Sequence, residues 1–498
     1  MVLASIIASF AVSQTTFERV PLQNNEIFGD LGEQWIAMME TFGVTGFSVS
    51  AIKDGKVVLL DGIGDSDPAN GRPANIDTRF YIASITKTMT ATAIAQLAEQ
   101  GKIDLDAPVQ KYLPRFTLAD TEYAKSVTVR DLLCHCPGIN SEIIVMLDAY
   151  SGEINDDRFY EALATVEPTK QPTYTNVHFT ILGRVIEAVS GQEWRKYLAE
   201  NVFSPLGMTR TTGFVSDIYN DTNFAVPLRV SASGSVVTNY MKTDRTMHAA
   251  GGILTTPRDM TKYLMAWIHE GESNGNRFLM PQTVRDALSH QSTFESSAAI
   301  RRFTGYGYAW NVGDYRETKG FAAHGGGYSG YMSYIAMLPE SKSAIAVFVN
   351  TGDTGGAFGT LLVVDLLDRL AGYPIDQELW RAYIARAEDY KEHMKSLKPF
   401  GANPALSGQL SLKPEAYAGE YYNDLLGTVT VTFSGGKLRL DWGDLPQMLK
   451  STGVDEFTAH DDEASPGTHG RFIVRNGAAT GIGFSPGGQE IVFDRVRD

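Results

Sequence analysis

Cysteine is scarce in this sequence, and the two that occur stand almost side by side. Cys134 and Cys136 are the only cysteines among 498 residues. Two cysteines separated by a single residue are poorly placed for an unstrained disulfide. A metal site with the intervening His135 is also disfavoured, because neighbouring residues of a helix point in different directions. We therefore predict two buried structural thiols.

Excess basic charge and long hydrophobic runs are missing as well. The net charge is −15, and an acidic surface repels nucleic acid, so we predict no nucleic-acid partner. No apolar run is long enough to cross a bilayer, and we predict no membrane span. Hydrophobic residues make up 43% of the chain and charged residues 20%, which is typical of globular enzymes. A chain of this length exceeds one ordinary core, so two or three domains are expected.

The first residues form a short apolar segment. It runs from Val2 to Val12 and ends in small residues at Ala11 and Ser13, as a signal-peptidase site requires, although no Lys or Arg precedes it. We predict a signal peptide over residues 1–13 and hence a secreted or periplasmic protein. An N-terminal segment docked on the core of a cytoplasmic protein is the alternative.

The pattern along the chain predicts an α/β domain followed by an all-β domain. Alternating residues around Asp54–Gly55 indicate a β-hairpin. Helical patterns follow, then strand-like runs in GYGYAWNV, GYMSYIAMLP and SAIAVFVN, which together predict an antiparallel sheet flanked by helices over residues 25–375. Residues 376–405 are expected to form an amphipathic connecting helix and a linker. Short strands separated by turns predict a small β-barrel or sandwich over residues 406–498.

A serine and a lysine stand three residues apart in the segment FYIASITKTMTA. Residues at this spacing share one face of a helix, so Ser84 Oγ and Lys87 Nζ can meet. A serine in the first turn lies at the positive end of the helix dipole, and a buried lysine can lose its charge and act as a base. Ser-x-x-Lys occurs by chance about once in a chain of this size. Two polar residues on a solvated helix face are therefore the alternative.

Tyr174 and Asn176 precede a helical pattern in PTYTNVHFTILG. A tyrosine beside a lysine ammonium has a lowered pKa, so we expect its phenolate to take the serine proton and return it to the leaving group. The amide of Asn176 can hold both Lys87 and a substrate carbonyl. A second Tyr-x-Asn triplet, Tyr421–Tyr422–Asn423, is interpreted as structural.

His324 opens a glycine-rich stretch, HGGGYSGYMSYIAML. Glycines followed by alternating residues predict a strand whose bare backbone allows close approach. The N–H groups of Gly327 and Ser84 would then bind an oxyanion, and His324 would lie at the rim of the site as a donor to Tyr174 or to the substrate. His269 ends a helix without a glycine run, and we interpret it as structural.

These residues resemble those of a known superfamily. Three motifs follow one another along the chain: Ser84-x-x-Lys87, Tyr174-x-Asn176 and His324-x-Gly326. In this order they resemble the motifs of the serine β-lactamase and penicillin-binding-protein superfamily, best of all its class C-like branch of D-peptidases, esterases and amidases. Segments such as GKIDLDAPVQKYLP and AAGGILTTPRDMTKYL agree, and the resemblance covers most of residues 35–370.

The resemblance implies an acyl-enzyme mechanism on a β-lactamase-like fold with a helical subdomain. Ser84 would be the nucleophile, and Lys87 with Tyr174 the general base and acid. No metal or organic cofactor is implied. The C-terminal domain resembles the lipocalin-like barrels of some family members, where it could shape the cleft or mediate assembly into a homo-oligomer.

The resemblance also assigns residues that bind and orient the substrate: Asn176, His324, Gly326 and Gly327. Family β-lactamases and DD-peptidases usually carry lysine where this chain has His324. An ammonium pairs with a substrate carboxylate better than a neutral imidazole does. The histidine therefore favours a D-aminopeptidase, D-amino acid amidase or carboxylesterase, acting on a small-molecule or peptide substrate, over an efficient β-lactamase.

Three alternatives stay open at this point. The same acyl-enzyme could serve an acyltransferase or a peptide cyclase. A penicillin-binding-type sensor that does not turn over belongs to another functional class. Four aromatic residues could line an apolar acyl pocket or only pack within strands: Tyr306, Tyr308, Trp310 and Tyr328.

Overall fold

The structure is a computed structural model that describes residues 17–231, 234–237, 241–293, 296–298, 301–396, 410–460, 467–484 and 490–496. The predicted signal peptide over residues 1–13 and most of the predicted linker lie outside these ranges. Within them, no helix is long and apolar enough to cross a membrane.

The α-helices of the described residues are α1 Gly29–Phe42, α2 Thr86–Glu99, α3 Thr121–Ala124, α4 Val129–Leu133, α5 Glu142–Val145, α6 Asp156–Ala164, α7 Asn176–Ser190, α8 Trp194–Leu198, α9 Pro257–Ile268, α10 Pro281–Ala287, α11 Thr354–Ala371 and α12 Gln377–Ser396. The strands that precede the C-terminal domain are β1 Gly46–Lys53, β2 Lys56–Asp67, β3 Arg72–Pro73, β4 Phe80–Tyr81, β5 Leu228–Ser231, β6 Gly234–Val237, β7 Leu254–Thr255, β8 Glu272–Ser273, β9 Asn276–Arg277, β10 Ser296–Ala298, β11 Arg301–Tyr306, β12 Asn311–Tyr315, β13 Thr318–Tyr328, β14 Tyr331–Leu338 and β15 Ser343–Val349. The C-terminal strands are β16 Gly419–Asn423, β17 Gly427–Ser434, β18 Lys437–Trp442, β19 Leu445–Gly453, β20 Glu456–His460, β21 Thr468–Arg475, β22 Ala478–Phe484 and β23 Ile491–Arg495.

The central sheet has nine strands in the order β10-β11-β12-β13-β14-β15-β1-β2-β3, and its described pairs are antiparallel. The predicted hairpin is confirmed: β1 and β2 meet at Asp54 and Gly55, whose φ angles of 51° and 72° suit the mirror-image turns that hairpins prefer. The predicted α/β class, with an antiparallel sheet between helices, is therefore confirmed.

Both faces of the sheet are buried, which makes the domain three-layered. Along β15, Ile345 and Val347 pack in the core with α1, α11 and α12, whereas Ala346 and Phe348 pack in the core that contains α2 and α9. Successive side chains of a strand point to opposite faces. A central strand covered by helices on both faces is therefore buried at every position and apolar along most of its length, as SAIAVFV is after Ser343.

The C-terminal domain is a closed barrel of the eight strands β16 to β23. Its interior is filled by buried side chains, among them Tyr421, Leu440 and Phe493, so it is a packed core. The barrel docks on a π-helical segment, Met146–Ser151, whose Leu147 belongs to the barrel core. The all-β prediction for this part of the chain is confirmed.

One prediction about the cysteines was wrong. Cys134 and Cys136 form a disulfide, with their Cα atoms 5.5 Å apart. The reason is the residue between them: His135 has a φ of 58°, in the left-handed region, directly after α4 ends. This turn brings the two flanking side chains together, whereas a continued helix would point them in different directions.

Candidate active site

Ser84 lies in a tight turn between a short strand and a long buried helix. β4 pairs with β7, and the 3₁₀ turn Ala83–Ile85 then leads directly into α2. Ala83 has a φ of 45°, a left-handed conformation that costs energy for a residue with a Cβ atom. The turn presents a half-buried Ser84 at the positive end of the helix dipole.

The sheet holds this turn in place from behind. The Ser333 hydroxyl on β14 donates to the Ile82 carbonyl at 2.8 Å. A Cβ atom added to Gly326 on β13 would lie only 2.1 Å from the same oxygen. Gly326 is therefore glycine because the backbone of the serine turn lies against the strand.

Lys87 is fully buried, and its amine contacts three oxygen atoms. Nζ lies 3.0 Å from Ser84 Oγ and 2.7 Å from Asn176 Oδ1. Its third partner is the Ala250 carbonyl at 2.9 Å. Burial holds the pKa of Lys87 well below that of a free lysine. A solvated helix face, the alternative for the Ser-x-x-Lys motif, is excluded, because α2 is buried from Thr86 to Leu97.

Tyr174 and Asn176 reach the same place from the start of α7. Thr175 caps this helix by accepting from the Val177 N–H, which directs its neighbours towards Lys87. Asn176 is the first helical residue, and the Tyr174 ring centre lies 4.9 Å from Lys87 Nζ.

The protonation state of Tyr174 differs from the expected one. Burial of the phenol raises the pKa of Tyr174 above its ordinary value, and a hydrogen bond with Ser84 offsets this only in part. Tyr174 as a whole is 44% exposed, so only part of the residue is packed among protein atoms. The expected lowering required a lysine ammonium, and burial disfavours that charge too. Tyr174 is therefore a neutral phenol.

His324 is buried and binds Tyr306 rather than Tyr174. Its Nδ1 lies 2.7 Å from the Gly325 carbonyl, which can only accept, so Nδ1 carries the proton. Nε2 then accepts from the Tyr306 hydroxyl at 3.0 Å. Burial lowers the pKa of His324 to about 3, so the ring is neutral. The expected position at the rim is corrected, because only 4% of His324 is exposed.

Strand β12 ends before the glycine-rich part of β13. The last described pair between them is Asn311 with Ala323. Across the turn before β12, the Gly307 N–H donates to the Trp310 carbonyl. The Trp310 carbonyl therefore points away from β13. Because the peptide groups of successive strand residues point to opposite edges, the N–H and carbonyl of Asn311 point towards Ala323 on β13.

Along β13 the backbone N–H and carbonyl groups of successive residues also point to opposite edges, and this alternation continues into the exposed glycines. Gly325 and Gly327 share the edge on which Ala323 meets β12, but they lie beyond the end of that strand. Both glycines are exposed, whereas Gly326 between them is buried against the serine turn. The Gly327 N–H and the Gly325 carbonyl therefore lie on the edge of β13 beyond its last described pair with β12.

Two of the four aromatic residues pack in the core and two lie near the site, and the apolar acyl pocket stays a prediction. Trp310 packs on Trp267 with ring centres 5.2 Å apart, deep in the core, and Tyr308 contacts Arg130. Tyr306 and Tyr328 lie at the site, Tyr306 through His324 and Tyr328 directly after the exposed glycines.

Both residues interpreted as structural are confirmed. His269 is the C-terminal cap of α9, and Tyr421 is buried in the barrel. Among the residues that the structure describes, no cluster of three His, Cys, Asp or Glu side chains could hold a metal ion.

Two contributors were not foreseen from the sequence. The first is the Ala250 carbonyl, which accepts from Lys87. It lies in a tight turn, where a Cβ atom added to Gly252 would be only 2.4 Å from the backbone nitrogen of His248. The glycine pair in AAGGILTTP was the available signal. The second is His135, which packs against Tyr174. No local pattern marks it.

Comparison with known proteins agrees with this geometry. The family model described as Beta-lactamase matches residues 36–367. The chain belongs to this family. Penicillin-binding protein 4 of Amycolatopsis lactamdurans is 28% identical over 360 residues, which are 68% of this chain and 89% of that protein. The chain spans a little over half the length of other curated relatives that it matches.

Solved structures extend the likeness of this beta-lactamase-family chain to the barrel. The octameric penicillin-binding protein homologue of Pyrococcus abyssi has a TM-score of 0.60 at 23% identity, and the match covers 94% of this chain and 99% of that one. The D-amino acid amidase of Ochrobactrum anthropi SV3, complexed with L-phenylalanine amide, has a TM-score of 0.57 at 22% identity, covering 69% and 99%. At these identities the likeness shows a shared fold.

Proposed function

We propose that the protein is a serine hydrolase that cleaves an amide or ester bond through an acyl-Ser84 intermediate. The observation that carries this proposal is the set of three oxygen atoms around Lys87. Asn176 Oδ1 and the Ala250 carbonyl can only accept, so they take two N–H groups of the amine. A neutral amine then has one lone pair left, and it faces the Ser84 hydroxyl at 3.0 Å.

In the acylation step Ser84 Oγ attacks the substrate carbonyl carbon, and its proton moves to Lys87. The oxyanion that forms is bound by the N–H groups of Ser84 and Gly327. Tyr174, as a neutral phenol, donates its proton to the leaving amine or alkoxide, and Lys87 restores that proton. Water then attacks the acyl-enzyme by the same route in reverse and releases the acid.

The substrate is proposed to be uncharged where β-lactamases bind a carboxylate. His324 is neutral, and both its nitrogen atoms have partners within the protein. It therefore offers no cation to a substrate carboxylate. Short esters and amino acid amides fit this environment better than penicillins, and one structural neighbour is described as a D-amino acid amidase.

The test is covalent labelling followed by turnover. The protein is exposed to a fluorophosphonate, p-nitrophenyl esters, D-amino acid amides, D-Ala-D-Ala peptides and a penicillin, and its intact mass is measured. Ser84→Ala should lose both the added mass and the turnover, whereas Ser126→Ala, at an exposed serine, should keep both. Labelling of Ser84→Ala equal to that of the wild type would refute the assignment of Ser84 as the nucleophile. A stable adduct without turnover would instead show a binding protein, and a product joined to an added amine would show acyl transfer.

Export and self-association belong to the same proposal. The Cys134–Cys136 disulfide suits the oxidising compartments in which secreted and periplasmic proteins fold. One structural neighbour is described as octameric. We expect the chain to form a homo-oligomer, and light scattering after gel filtration measures its mass directly.

A further inference from the structure

His135 lies against Tyr174 and is completely buried. The two ring centres are 4.7 Å apart. The backbone makes a second contact, because the Thr173 N–H donates to the His135 carbonyl at 3.0 Å. The His135 ring also packs on the Tyr306 ring, with the two ring centres 4.9 Å apart. Through its ring and its backbone, His135 thus touches the segment that presents the Tyr174 phenol.

The plane of the His135 ring is set by α7. His178 Nε2 accepts from the Ile139 N–H at 3.1 Å, so the proton of His178 is on Nδ1. This Nδ1–H donates to His135 Nδ1 at 2.8 Å. Asn176, which accepts from Lys87, and His178 both lie in α7. The same helix therefore positions the lysine and orients the His135 ring.

The backbone of His135 needs support to keep this position. Its φ of 58° lies in the left-handed region, which is unfavourable for a residue with a Cβ atom. The disulfide between Cys134 and Cys136 spans this one residue and holds both of its neighbours. Ser292 fixes the first of them by donating to the Cys134 carbonyl at 2.5 Å.

We propose that His135, held in its left-handed turn by the Cys134–Cys136 disulfide, is a positioning residue for Tyr174. The inference rests on the proposed function, because it concerns the step in which Tyr174 transfers a proton. Opening the disulfide lets the turn relax, moves the support behind the phenol and slows that step. A misplacement of about 1 Å at a reacting group can cost ~10²-fold in rate.

Opening the disulfide is a two-electron reduction by a dithiol. A dithiol sulfur attacks Cys136, which is half-buried, whereas Cys134 is only 2% exposed. The Cys134–Cys136 bond breaks, and the second dithiol sulfur resolves the mixed disulfide. The two cysteines leave as thiols that carry the two protons, and the dithiol becomes its own cyclic disulfide.

The experiment compares oxidised and reduced protein in two backgrounds. Wild type and Tyr174→Phe are each assayed before and after dithiothreitol, with iodoacetamide and intact mass counting the free thiols. Cys134→Ser/Cys136→Ser supplies an opened turn if the native disulfide resists reduction, and its activity should not respond to dithiothreitol. The reduced wild type should lose at least ~10-fold in kcat with little change in KM, because the substrate contacts remain.

The Tyr174→Phe background separates positioning from general loosening. Reduction should lower kcat no further there, because the group that His135 positions is already absent. An equal loss in both backgrounds, an unchanged kcat in the opened wild type, or two thiols labelled without reductant would overturn the inference. Failure of the proposed function has a different signature, namely turnover by the oxidised Ser84→Ala variant equal to that of the oxidised wild type.

Discussion

At the scale of single residues, activity depends on which of the buried groups carry charge. Lys87, Tyr174 and His324 come from three distant parts of the chain, and burial opposes ionisation in each of them. Serine, lysine and tyrosine can therefore exchange one proton without forming a stable ion pair. The neighbour that tunes the lysine most directly is Asn176, an uncharged acceptor 2.7 Å from its amine.

Replacing Asn176 with aspartate should move the pH profile. A carboxylate at that distance favours the ammonium form and raises the pKa of Lys87 by about 1–3 units. The base must be unprotonated, so the acid limb of kcat/KM should shift to higher pH by a similar amount. Asn176→Ala removes the same contact without adding charge and should not shift the limb upward. Ester turnover between pH 5 and 10 measures the acid limb for each variant. Acid limbs that coincide for the wild type and the aspartate variant would contradict the proposed role of Lys87.

At the scale of elements, the site is the place where a strand and a helix-initiating turn touch. β13 and β14 hold the Ile82 carbonyl, and Ser84 follows two residues later. The three consecutive glycines of β13, Gly325 to Gly327, differ in purpose. Gly326 makes room for the turn, whereas an added Cβ on Gly325 meets nothing nearer than 3.8 Å.

A methyl group at Gly326 should therefore separate the strand from the turn. Gly326→Ala is expected to lose ~10²-fold or more in kcat/KM, because the nucleophile shifts relative to the strand edge. It should also lower the free energy of unfolding by about 1–3 kcal/mol, as overpacked sites do. Gly325→Ala is the matched control and should unfold like the wild type. Thermal unfolding and ester hydrolysis together test this, and equal melting temperatures for the two variants would refute the packing argument.

At the scale of the whole molecule, the hairpin between β18 and β19 is one of the places where the barrel contacts the first domain. Asp444, in the turn between β18 and β19, accepts from Thr243 at 2.5 Å and from Arg245 at 3.0 Å. Its N–H donates to the Ser151 carbonyl at 2.8 Å. The barrel thereby holds the two segments whose carbonyl groups accept from the Lys242 amine, at Ala149 and at Thr246.

Lys242 lies between this hairpin and the end of β13. Its amine donates to the Ala149 carbonyl and lies 4.3 Å from the ring centre of Tyr328, the residue after Gly327. Burial lowers the pKa of Lys242 to about 7. These contacts link the barrel to the residue after Gly327, and they predict that the barrel supports one wall of the cleft, a role left open by the sequence.

Removing the Asp444 carboxylate should loosen that wall. Asp444→Ala is expected to speed amide hydrogen exchange in residues 146–151 and 241–246, because both segments lose their attachment to the barrel. Asp424→Ala, at an exposed barrel aspartate, is the control and should exchange like the wild type. Mass spectrometry of exchanged peptides measures this, and unchanged exchange in Asp444→Ala would show that the hairpin does not hold the wall.

The sequence by itself determined the order of the elements and the residues that meet at the site. The hairpin at Asp54–Gly55 and the helix after Ser84 follow from contacts among near neighbours, which leave periodic patterns in the chain. Only the tertiary structure decided the disulfide around His135, the partner of His324 and the raised pKa of Tyr174. These depend on which distant residues exclude water from each group, and no local pattern records that.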